Sequence, residues 1–115
     1  MRTNRQPIEK TVRLSPKGAI TQTGKRGSLR EAVAQALLAG AERVEVDATD
    51  VSYLDAAGLG ELVACRAMVE QAGGRFQLYG ARGKTRELLA LTGLDRILTR
   101  HTAHRPIPTL RFRVA

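Results

Sequence analysis

From Arg43 to Ala48 the chain alternates without a break: Val44, Val46 and Ala48 point one way, Arg43, Glu45 and Asp47 the other. That period of two belongs to a strand with one buried face. Leu29, Ala32, Val33, Ala36 and Leu37 recur instead at the spacing of one helical face, behind Ser28 and Glu31, which fit the reciprocal cap that opens a helix. Gly40 stands where a left-handed residue ends such a helix. The same reading predicts two strands, from Thr11 to Leu14 and from Ala19 to Thr23, joined by a turn at Pro16-Lys17-Gly18 and followed by a surface loop to Gly27. A second helix begins near Gly58, carries the stripe Leu59, Leu62, Val63, Ala67 and Val69, and stops at Gly73-Gly74. Arg75 to Tyr79 reads as a further strand, and Lys84 to Leu91 as a short helix ended by Thr92-Gly93-Leu94.

Strands alternating with helices predict a single α/β domain: a mixed, mostly parallel sheet of four to five strands with three or more helices packed on it. Residues 1–10 lack periodicity and read as a flexible basic N-terminus, 11–98 as the domain, and 99–115 as a basic C-terminal tail. Within that tail Leu110 to Val114 alternate enough to add an edge strand or to touch a second copy as a homodimer contact.

The stretch Val51 to Val63 organises the rest. A strand-like run crosses a turn of small residues and enters a helix, which turns backbone N–H groups toward a visitor. Asp55 is placed to cap that helix, while Ala56, Ala57 and Gly58 leave its end unscreened. The predicted partner-binding set is Asp55, Ala56, Ala57, Gly58, Leu59 and Gly60, with Leu59 and Leu62 anchoring the helix to the sheet. Neither alanine carries a hydroxyl, thiol or imidazole, so this turn holds no nucleophile. Arg66 lies within the stripe and is expected to bury its stem and keep its head wet.

Charge changes the picture only once it is divided. The net +8 splits into +7 over residues 1–30, −4 over 31–95 and +5 over 96–115, so the centre is acidic and the ends are basic. With aromatics at 3%, these ends read as solvated arms rather than a specific nucleic-acid surface. No apolar run approaches the ~20 residues that span a bilayer, and no apolar segment backs the basic N-terminus as in a secretion signal. A cytoplasmic protein is expected. Cys65, alone in the chain, reads as a small buried hydrophobe.

Other chemistry falls away on spacing. Gly83-Lys84-Thr85 sits between a strand and a helix, but the earlier glycine of a phosphate loop would fall at Leu78. Gly58-Leu59-Gly60 would need its third dinucleotide glycine at Val63. His101 and His104 lie in a basic tail without carboxylate or thiol neighbours, so neither metal nor cofactor is expected. A binding module remains, not an enzyme.

Val44-Glu45-Val46-Asp47 followed by Val51-Ser52-Tyr53-Leu54-Asp55-Ala56-Ala57-Gly58-Leu59-Gly60 resembles the signature of STAS domains, named for sulphate transporters and anti-sigma factor antagonists. Ala72-Gly73-Gly74-Arg75-Phe76-Gln77-Leu78 and Leu91-Thr92-Gly93-Leu94-Asp95-Arg96-Ile97-Leu98 are similar to that family in wording and spacing. In anti-sigma factor antagonists the turn usually reads Asp-Ser-Ser-Gly-Leu-Gly, and its second serine is phosphorylated by an anti-sigma factor of the histidine-kinase-like ATPase fold. The resemblance puts that serine at Ala57, where phosphorylation is impossible; Ser52 belongs to the preceding strand and does not inherit the role. It implies a bacterial transcription regulator acting by protein–protein interaction, whose partner is such an anti-sigma factor. The alternative is an accessory STAS subunit of a membrane lipid-transport ABC system, its partner a transporter ATPase. A third reading is a nucleotide- or lipid-binding STAS domain that uses the basic ends.

Overall fold

The computed structural model describes residues 10–21, 28–92 and 107–114. In chain order they form β1 (Thr11–Ile20), α1 (Ser28–Leu38), β2 (Arg43–Asp47), β3 (Val51–Leu54), α2 (Ala56–Gln71), β4 (Arg75–Tyr79), α3 (Gly83–Thr92) and β5 (Thr109–Arg113). The five strands make one sheet linked in the order β3-β1-β2-β4, with β5 also paired to β1. Every pairing among the described residues is parallel. The expected single α/β domain is therefore present.

β1 is the hub, and it corrects one expectation. In place of two strands around a turn, the chain runs as one strand of ten residues through Pro16. Its neighbours explain how. β2 pairs with Thr11 to Leu14, and β3 takes over from Gly18 to Ile20. Pro16 falls in the gap between them. On the β5 side, bonds run from the Arg13 amide to the Pro108 carbonyl and from the Val114 amide to the Lys17 carbonyl. Since alternate residues serve alternate edges, Pro16 is asked for no N–H on either side. Gly18, at φ +112°, absorbs the remaining irregularity as a register shift.

Leu14, Val46 and Leu78 line up across β1, β2 and β4, as do Val12, Val44 and Phe76. Leu29 and Val33 of α1, Leu62 and Val69 of α2 and Leu89 of α3 are buried in the same aliphatic core. The opposite register row, Arg13, Glu45 and Gln77, is polar, yet Glu45 and Gln77 are also buried. Alternation alone implied a solvated face, whereas a parallel sheet is commonly covered on both. Arg13 bonds Glu45 at 3.1 Å and lies 5.5 Å from the Tyr79 ring centre. The Gln77 side-chain amide has no hydrogen-bond partner among the described residues.

Gly40 and Gly73 end α1 and α2 as expected, at φ +93° and +83°. Each donates to the carbonyl three residues back, Leu37 and Glu70, while the next residue bonds Ala36 or Val69, the paired closure of a left-handed helix end. The side chain of Ser28, most of the loop before it, the Gly93-Leu94 helix end, His101 and His104 lie outside the described residues.

Candidate functional site: the capped start of α2

β3 delivers the chain to Asp55, whose extended backbone (φ −103°) turns its carboxylate back over the new helix. Its Oδ1 accepts from the Gly58 amide at 2.8 Å. One of the helix's orphan donors is thereby satisfied and its positive end neutralised. Gly58 is held hard against β1: a Cβ there would stand 1.9 Å from the Ile20 carbonyl oxygen. Only a residue without a side chain lets α2 lie this close to the strand.

The six predicted binding residues therefore share one turn but not one environment. Ala56, Ala57 and Gly60 are exposed, Asp55 and Leu59 are half-buried, and Gly58 is buried. Gly58 shapes the site and offers a visitor no surface. Leu62 is the firm anchor, 2% exposed, while Leu59 packs against the margin of the core.

The predicted apolar stripe on α2 needs correction. The buried positions are Gly58, Leu62, Cys65 and Val69, whereas Val63 and Ala67 are exposed. Helical spacing puts Val63 and Ala67 on the same outward side as Ala56 and Gly60. The result is an outward face of small and apolar side chains running from Ala56 to Ala67. Drawing the buried side through Gly58 as well as Cys65, the latter already expected to be buried, reveals this face from the sequence.

Charges flank that face without crossing it. Glu61 turns toward α1 and meets Arg30 at 2.8 Å; Arg66, half-buried as expected of a snorkelling side chain, meets Glu70 one turn on at 3.2 Å. Beneath them the Cys65 thiol is pushed up to about 12, first by burial and then by Glu61, with Arg30 opposing. It is inert at neutral pH. Among the described residues no group of three or more His, Cys, Asp or Glu side chains lies together as a metal cage, and no helix is long and apolar enough to cross a membrane.

Fold and turn together define a small α/β domain that displays the capped start of a helix. Residues 1–99 match the family model described as "Mlab, STAS domain". The chain belongs to the STAS domain family. Among solved structures it is similar to the unphosphorylated form of the anti-sigma factor antagonist SpoIIAA, at 17% identity and a TM-score of 0.59, covering 87% of this chain and 86% of that one. The phosphorylated form of SpoIIAA, a Bacillus cell fate determinant, gives 17% identity and a TM-score of 0.56, covering 87% of this chain and 89% of that one. At that identity the likeness is one of fold. No curated protein matches the chain.

Proposed function

We propose that this STAS domain is a cytoplasmic, non-enzymatic regulator that binds a protein partner through the turn at residues 55–60 and the outward face of α2, with no serine switch. One observation carries this reading. From Ala56 to Ala67 the outward face holds no charged side chain, and among the described elements α2 packs chiefly against α1, β4, β1 and β3 on its other sides. Small side chains let a partner's backbone come close to the helix, and little side-chain entropy is lost when they are covered. The likeness to SpoIIAA supports an anti-sigma factor of the ATPase fold as partner.

A second reading, a standing subunit contact with a transporter ATPase, is favoured by Ala57 itself. A surface that cannot be phosphorylated suits an assembly that need not be dissolved.

Ala57→Asp tests the site. An acid in the first turn is compatible with the helix dipole, so the melting temperature should hold within a degree or two of wild type (an effect of about 0.5 kcal/mol or less). Capture from native cells should lose a protein that wild type retains. An unchanged set of captured proteins would remove the turn from the interface; recovery of transporter subunits rather than an anti-sigma factor would decide for the second reading.

A further inference from the structure

We propose that the open edge of β5 receives an extended acidic segment of a partner protein as an added strand. β5 pairs with β1 alone among the described strands. Its inward bonds come from Pro108 and Val114, so by alternation Leu110 and Phe112 also turn toward β1. Thr109, Arg111 and Arg113 therefore aim their N–H and C=O groups away from the sheet. Such a row of donors and acceptors, without a backbone partner among the described residues, is a template for strand addition.

The side chains define which strand fits. Arg111 and Arg113 are exposed, and the register sets Arg113 beside Lys17, also exposed. No carboxylate pairs with any of the three among the described residues. Like charges placed side by side across strands repel, and glutamates or aspartates on an added strand relieve the repulsion. Leu110 is 49% exposed on the other face of β5, so the alternate residues of the incoming segment should be apolar. A second copy is disfavoured by the same charges: two β5 edges meeting about a twofold axis would bring the arginines of both copies together. An acidic strand alternating with apolar residues meets both conditions.

This edge lies on a different element from the outward face of α2, so the two sites fail or succeed separately. The test uses the full chain, isotope-labelled, titrated with a short acetylated peptide alternating glutamate and valine. Amide shifts should concentrate at Thr109, Arg111 and Arg113. N-methylation of alternate peptide amides should abolish binding, since the contact is a backbone ladder. The double variant Arg111→Glu, Arg113→Glu should weaken it roughly tenfold, from a few cross-strand charge pairs reversed together. Arg111→Gln, a milder change that keeps the strand's polarity, should weaken it less, and Ala57→Asp should leave it unchanged. Absence of shifts in β5, or binding that survives N-methylation, overturns the proposal. So does a β5-mediated dimer in sedimentation, or displacement of the peptide from β5 by RNA or anionic vesicles at equal charge concentration.

Discussion

Gly58 and Gly60 stand two residues apart on the first turns of α2 and do opposite work. A Cβ on Gly58 would collide with the Ile20 carbonyl, whereas one on Gly60 would meet no described residue within 4 Å. The first glycine lets the helix dock onto β1; the second keeps the outward surface low. Each represents its side of the helix. Gly58, Leu62, Cys65 and Val69 are buried because the sheet and α1 need close contact, and Ala56, Gly60, Val63 and Ala67 are small or apolar although no described element requires it. Apolar exposure of that kind is what a docking face would show.

The largest effect should come from filling the closer glycine. In Gly58→Ala the methyl group meets the Ile20 backbone first, with Leu54 Cδ1 behind it, and backbone cannot swing aside, so α2 must lift from β1 or the end of β1 must bend. Destabilisation of about 3 kcal/mol is expected, at the upper end for overpacked sites, read from urea unfolding. Loss below about 1 kcal/mol would mean that the contact is looser than its geometry.

Cys65 sharpens the buried side at lower cost. Its thiol titrates near 9 when unfolded but is held neutral to about 12 in the fold. The folded chain therefore keeps a proton that the unfolded chain releases. This contribution to stability is whole below pH 9 and is lost as pH climbs through the window to 12; its slope approaches about 1.4 kcal/mol per pH unit. Cys65→Ala should be less stable at neutral pH because of the space it leaves. The gap between variant and wild type should narrow as unfolding is followed from about pH 8.5 to 10.5, a window that spans the ordinary titration of a free thiol. A constant gap would show the thiol to be wetter than its burial implies.

How far these features could be read from residues alone depends on whether their cause is local. The α1 and α2 stops were legible because Gly40 and Gly73 act within one turn, and Asp55 was legible as a cap because its acceptor and its donor are three residues apart. Pro16-Lys17-Gly18 carried an equally local turn signal, and it misled. What decides there is three neighbouring strands, drawn from residues that begin up to about ninety positions later. The α2 stripe failed for another reason. Val63 and Ala67 are apolar by type, but the sheet lies on the side of Gly58 and Cys65; glycine offers no side chain for a hydropathy pattern to count, and Cys65, though expected to be buried, stands outside the stripe drawn through Val63 and Ala67. The burial of Glu45 and Gln77 was hidden in the same way, since alternation reports which residues share a face and not whether the face is covered.

Gly60→Ala should have the smallest effect on the free chain and the most informative one on its complexes. The residue lies inside the helix, exposed, with no described residue within 4 Å of where the methyl group would go. Replacing glycine by alanine at such a position restricts the unfolded chain and should stabilise the fold by about 0.5–1 kcal/mol. If the outward side of α2 were merely solvated, that gain would be the whole result. If a partner's backbone closes on it, the methyl group intrudes on the contact. Binding to any partner recovered by capture should then weaken by roughly threefold to tenfold, the size of one misplaced methyl group, while the melting temperature rises. A variant that melts higher and binds as wild type would place the interface elsewhere on the domain, because stability and affinity move in opposite directions only where the added group touches the partner.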